Sequence, residues 1–133
     1  MTQPHCFPIR VYYEDTDLGQ VVYYANYLKF IERGRSEWLR AAGIDQRDLM
    51  ERRNLGYVVR RVEADYLRPA RFEDQLDVVT RLEGISGARI VASQAVERDG
   101  ATLFQARVTL VCVDLRTMRP HRLPPEIAVA LGG

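Results

Sequence analysis

The chain is poor in the residues from which hydrolytic and metal centres are most often built: 133 residues include two histidines and two cysteines. Cys6 and Cys112 stand far apart, at no spacing that a metal site or redox pair would use. Cys112 sits in the apolar run Val108–Val113 and is expected to be a small buried hydrophobe. His5 lies near the N-terminus and His121 in a turn after Pro120, so a histidine-based triad is not expected. There is no Gly-x-Ser-x-Gly elbow, no P-loop and no zinc-ligand spacing, and neither a metal nor an organic cofactor is expected. No apolar stretch approaches the roughly 20 residues that span a bilayer. Met1–His5 lacks the charged-then-apolar pattern of an export signal, so a reducing, cytoplasmic setting is the expectation. A surplus of one charge is missing too. With 19 basic and 18 acidic residues the net charge is +1, which gives a nucleic acid nothing to bind overall, although arginines are frequent throughout.

What is present is one domain's worth of alternating and helical pattern, spanning residues 1–133, long enough to bury a core without disulfides or metals. Phe7–Tyr13 alternates and reads as a strand, broken by the acidic turn residues Glu14–Gln20. Tyr27, Phe30, Ile31, Gly34, Trp38 and Leu39 recur at helical spacing, which predicts a helix from Asn26 to Ala42, roughly 25 Å long, ended by Gly43. Gly34 lies on the apolar stripe. Glycine inside a helix costs up to ~1 kcal/mol against alanine, so something is expected to pack very close there. A short helix from Gln46 to Arg53 fits behind Asp45 as N-cap. Strands are predicted at Tyr57–Tyr66, Gln75–Glu83, Arg89–Glu97 and Thr102–Asp114, with hairpin turns at Gly84–Gly87 and Asp99–Gly100. Thr117–Pro120 reads as another turn, and Pro125 can open a short last helix. The order predicts an α+β domain in which an antiparallel sheet covers one long helix. The outer sheet face reads as partly apolar, which predicts self-association, with Tyr57–Tyr66 as the candidate pairing edge.

The chemistry-bearing segment is Asp15-Thr16-Asp17-Leu18-Gly19, just ahead of the long helix. Read alone, Asp-x-Asp before a helix fits a turn or N-cap as well as a reactive centre. Its position suggests more, because free backbone N–H groups at a helix start can receive an oxyanion. Asp17 could attack a carbonyl or activate a water. Thioester hydrolysis needs little else. The carbonyl is weakly stabilised, and a thiolate with a conjugate acid near ~8.5 leaves without protonation.

The string from Tyr12 to Tyr27, with Glu32-Arg33-Gly34-Arg35-Ser36-Glu37, Arg68–Asp74 and Ile85–Arg89, closely resembles the 4-hydroxybenzoyl-CoA thioesterase family. Within it the chain is most similar to the Tol–Pal-associated acyl-CoA thioesterases, the YbgC group. The resemblance implies the hotdog fold, a sheet wrapped around one central helix, and homodimers or homotetramers with interfacial active sites. It implies an acyl-CoA substrate, with acyl carrier protein as the alternative carrier, and a peripheral link to the cell envelope. It marks Asp17 as the catalytic aspartate and Tyr24 as the residue whose backbone N–H polarises the carbonyl. Gly19, Val22, Tyr23, Tyr27, Tyr57 and Val58 are the expected substrate-binding residues. Tyr24 stands where the YbgC group usually carries histidine, which leaves aliphatic and aromatic acyl groups both open. Glu32 is expected to pair with a neighbouring arginine. A hydratase of the same fold would need a histidine near an acid, and none lies between His5 and His121. A non-catalytic acyl-binding protein is the alternative of a different class.

Overall fold

In the computed structural model, which describes residues 3–132, the chain runs β1 (His5–Arg10), α1 (Asn26–Ala41), α2 (Gln46–Arg53), β2 (Leu55–Tyr66), β3 (Gln75–Ser86), β4 (Arg89–Arg98), β5 (Ala101–Asp114), β6 (Arg119–Pro120) and α3 (Pro125–Leu131). The strands form one antiparallel sheet in the order β1-β3-β4-β5-β2, with β6 attached to β5. The sheet packs around α1, which presents Tyr27, Phe30, Ile31, Gly34, Trp38 and Leu39 to it. This is the hotdog architecture. No helix among the described residues is long and apolar enough to cross a membrane.

Two features fix α1 on the sheet. A Cβ on Gly34 would fall 2.3 Å from Val78 Cγ1, and Val78 is fully buried, so only glycine lets the helix and β3 approach this far. Beside it, the buried Gln94 of β4 donates to the Ile31 carbonyl (2.8 Å) and Thr80 Oγ1 (2.9 Å) and accepts from Arg35 Nη1 (3.0 Å). Both the nitrogen and the oxygen of the amide are thus engaged, as a buried amide requires. Arg35 is 8% exposed, and its burial holds the guanidinium pKa below its ordinary value.

Several boundaries differ from the sequence pattern for local reasons. The first strand ends at Arg10 rather than Tyr13, because the Asp15 carboxylate takes the Tyr12 N–H (2.8 Å) and turns the chain into a 3-10 turn at Tyr13–Asp15. The β3–β4 turn is Gly87–Ala88 alone. Gly84 is absorbed into a register shift after Leu82, so β3 continues to Ser86. The last turn is Leu115–Met118, and Arg119–Pro120 belongs to β6. Asp99 and Gly100 both have left-handed φ (51° and 82°), the conformation of a type I′ hairpin. Cys112 is buried as expected, whereas Cys6 is exposed on edge strand β1.

The outer face is less apolar than the pattern suggests. Val111 and Val113 are buried on the phase opposite Cys112. The middle of that face, however, carries the ion pairs Arg107–Glu83 (2.9 Å) and Arg61–Glu63 (3.1 Å), with Asp65, Arg81 and Glu97 nearby. Exposed apolar side chains gather instead on the β2 edge and around Asp17.

Candidate active site

Asp17 opens a tight hairpin. Its N–H donates to Val21 O (3.0 Å), Gln20 N–H donates back to Asp17 O (2.9 Å), and Thr16 pairs with Val22. Asp17 Oδ1 accepts the Gly19 N–H (2.8 Å), which fixes the carboxylate and leaves Oδ2 with no hydrogen-bond partner among the described residues. A Cβ on Gly19 would lie 3.1 Å from Oδ1, so the glycine permits the close approach that orients the acid. Tyr23 N–H and Asn26 Nδ2 both donate to Asp15 O (2.9 Å each), tying the hairpin to the helix entry.

The helix entry is left open. Ala25 is already helical (φ −68°, ψ −22°), and no side chain caps it. Asn26, Tyr27 and Leu28 N–H groups find the carbonyls of Tyr23, Tyr24 and Ala25. The N–H groups of Tyr24 and Ala25 have no acceptor among the described residues. Unpaired donors at a helix start carry the positive end of its dipole. A free carboxylate oxygen and two free N–H groups therefore belong to one continuous hairpin-to-helix segment.

Asp17 lines a cavity of about 460 Å³ with Tyr13, Thr16, Leu18, Gln20, Arg71 and Phe72. Tyr13 and Phe72 meet edge to face across it, with centroids 6.1 Å apart. Arg71 and Phe72 come from the β2–β3 loop, which sequence reasoning did not assign to the site. The signal that could have found them is the Arg68–Asp74 stretch, whose pairing with the hairpin through Val21 and Arg71 spans fifty residues.

The expected binding residues divide. Gly19 is at the site, and Tyr23 and Tyr24 are exposed beside the helix entry, their rings 5.0 Å apart with Tyr24 edge-on to Tyr66 at 6.0 Å. Val22 is buried, so its side chain is core and only its backbone reaches the hairpin. Tyr27 is 3% exposed and stacked on Phe104 at 5.1 Å; its side chain does not face the cavity. Tyr57 and Val58 do not join Asp17 within the chain. Tyr57 packs against the core and lines a separate cavity of about 150 Å³ with Glu32, Arg35 and Ser36. Its hydroxyl is buried with no hydrogen-bond partner among the described residues, and burial raises its pKa. Val58, the next residue in the strand, lies on the other face opposite Val111. Glu32 takes the Ser36 hydroxyl (3.3 Å) rather than an arginine.

The model of the thioesterase-like superfamily matches residues 11–131, and the chain belongs to that superfamily. Its relatives narrow this further. The acyl-CoA thioesterase YbgC of Haemophilus influenzae is 44% identical over 93% of this chain and 91% of its own length. The acyl-CoA thioester hydrolase YbgC of Escherichia coli O6:H1 is 43% identical over 91% of this chain and 90% of its own. The crystal structure of a probable thioesterase from Bartonella henselae superposes with a TM-score of 0.88 at 38% identity, covering 92% of this chain and all of that one. Within the superfamily the chain falls in the YbgC group.

Proposed function

We propose that the chain works as one hydrolytic domain that cleaves acyl-CoA to the free acid and coenzyme A, with Asp17 as the reacting carboxylate. The observation that carries this reading is that the free Asp17 Oδ2 and the unpaired Tyr24 and Ala25 N–H groups belong to one continuous hairpin-to-helix segment. The YbgC relatives, whose names give this activity, support it.

In the favoured route Asp17 Oδ2 attacks the thioester carbon, and the carbonyl oxygen gathers negative charge against the two N–H donors. Collapse breaks the C–S bond, releases the coenzyme A thiolate and leaves an acyl–aspartyl anhydride. Water hydrolyses the anhydride to the acid and restores the carboxylate. No histidine lines the Asp17 cavity to assist a water, which favours direct attack over general-base catalysis. Rapid quenching followed by mass analysis of the peptide containing Asp17 distinguishes the routes: direct attack adds the acyl mass to it, and the base route does not.

The assembly is read as a homodimer, open to further pairing as a homotetramer. Val59, Val62 and Tyr66 on edge strand β2 and Leu18, Tyr23 and Tyr24 beside the site are all exposed, an amount of apolar surface that a second copy would cover. A dimer would also bring a partner β2 to a site that lacks its own Tyr57 and Val58. Sedimentation at micromolar concentration tests the assembly, and a monomer would contradict it. Thiol release from short, long and aromatic acyl-CoAs tests the activity. A protein that binds these thioesters without cleaving any would instead be a non-catalytic acyl binder.

A further inference from the structure

The Asp17 hairpin and the α1 entry are both bonded to the backbone of a single residue, Ala70, through the peptide groups on its two sides. Its carbonyl accepts the Val22 N–H (2.9 Å), on the return arm of the hairpin that holds Asp17. Its N–H donates to the Tyr27 hydroxyl (2.9 Å), one helical turn beyond Tyr24. Ala70 is fully buried. The loop that carries it is fastened on every side. Leu67 and Arg68 N–H groups donate to Leu103 O (2.8 and 3.0 Å). Arg98 Nη1 donates to Asp74 Oδ2 (2.6 Å) and reaches Pro69 O (3.4 Å), while Asp74 Oδ2 also accepts the Arg71 N–H (2.8 Å). Asp74 O takes the Val11 N–H (2.9 Å). The Tyr27 ring is held between Phe104 (5.1 Å) and the edge of Tyr66 (5.6 Å), so its hydroxyl has little freedom.

Resting on the hydrolytic reading above, we infer that Tyr27 is a positioning residue: through the Ala70 backbone its hydroxyl sets the Tyr24 and Ala25 N–H groups against the Asp17 carboxylate. The physical reason is the geometry of the reaction. Attack requires the carboxylate oxygen about 3–3.5 Å from the carbonyl carbon while the carbonyl oxygen stays on the donors, and an error of about 1 Å can cost ~100-fold in rate. The direct tie between the two segments, through Asp15 O, is only part-buried and would not alone hold such a tolerance. A buried residue whose backbone is bonded to both does, and loss of the Tyr27 hydroxyl strands the buried Ala70 N–H.

Tyr27→Phe tests this, because it removes only the oxygen and keeps the stacked ring. The expected result is a kcat lower by roughly 10- to 100-fold with KM for acyl-CoA changed less than about twofold. Ile127→Ala, which opens the core at α3 and touches none of these hydrogen bonds or rings, should lower Tm yet keep kcat. Arg98→Met, which loosens Ala70 from the opposite side, should reproduce the kcat loss, and it carries the test if Tyr27→Phe does not fold. Amide exchange at Val22 supplies a readout independent of turnover: it should accelerate in Tyr27→Phe and not in Ile127→Ala. An inactive wild type would defeat the hydrolytic reading, and the Val22 amide would still decide this one. Unchanged Val22 exchange with wild-type kcat in Tyr27→Phe, or kcat that merely follows Tm across all three variants, overturns the positioning role.

Discussion

The middle of α1 and its first turn differ in kind. Its middle is tightly packed, with Gly34 against Val78 and both the nitrogen and the oxygen of the Gln94 amide bonded. Its first turn is open, with two unpaired N–H groups, no capping side chain and exposed tyrosines on either side. A polar group left unsatisfied is a cost in a structural helix. Here the cost falls on the same segment as the Asp17 carboxylate, whose Oδ2 is free, and the tightly packed middle keeps the open end from adjusting to relieve it. The lesson is that rigidity and unmet hydrogen bonding are divided along one helix, and the unmet part is where a substrate oxygen has something to gain.

The sharpest way to break this comparison is at the open end. Asp17→Asn preserves shape and the Gly19 contact but removes the nucleophile, so kcat should fall by about 10²–10⁴-fold with the fold intact by circular dichroism. Tyr24→Pro removes one of the two donors and should cost on the order of 10²–10³ in kcat. Tyr24→Ala keeps that donor and should change acyl preference more than rate. Equal loss in both Tyr24 variants would transfer the role to the side chain. Gly19→Ala crowds Asp17 Oδ1 at 3.1 Å and should lower kcat less than either, with Tm nearly constant. The packed middle should respond in the opposite sense. Gly34→Ala gains up to ~1 kcal/mol of helix propensity. It forces a contact that overpacking studies put at about 1–3 kcal/mol or more. Thermal melts should therefore show Tm lower by several degrees while kcat of the folded fraction holds. A Tm that rises would mean Val78 can yield.

Much of this division was legible in the sequence. The spacing from Tyr27 to Leu39 and the glycine at its centre predict the α1 packing, and Asp45 caps α2 through the Asp48 N–H (3.0 Å) as its position suggests. Asp99–Gly100 is a two-residue turn in pattern and in fact. Asp17 and the helix start are adjacent in the chain, so their chemistry could be read from neighbours. What could not be read depends on contacts between distant segments or on local capture. The Asp15 carboxylate ends β1 early, a register shift hides Gly84, and Arg71 and Phe72 reach the Asp17 cavity from a loop fifty residues away. Tyr27 sits in the same string as Asp17 and Tyr24, yet periodicity places it on the buried stripe, and the structure agrees with the periodicity over the binding role. Tyr57 and Val58 lie on opposite faces of β2, which an alternating strand requires and a shared role for both within one chain does not allow.

The most direct test of the account is the structure of the Asp17→Asn variant bound to an uncleaved acyl-CoA. The account predicts the thioester oxygen about 2.7–3.1 Å from the Tyr24 and Ala25 nitrogens, and the side chain at position 17 within roughly 3.5 Å of the carbonyl carbon. A thioester seated elsewhere, for instance in the cavity beneath Arg35 and Tyr57, with the helix start still unpaired, would contradict it.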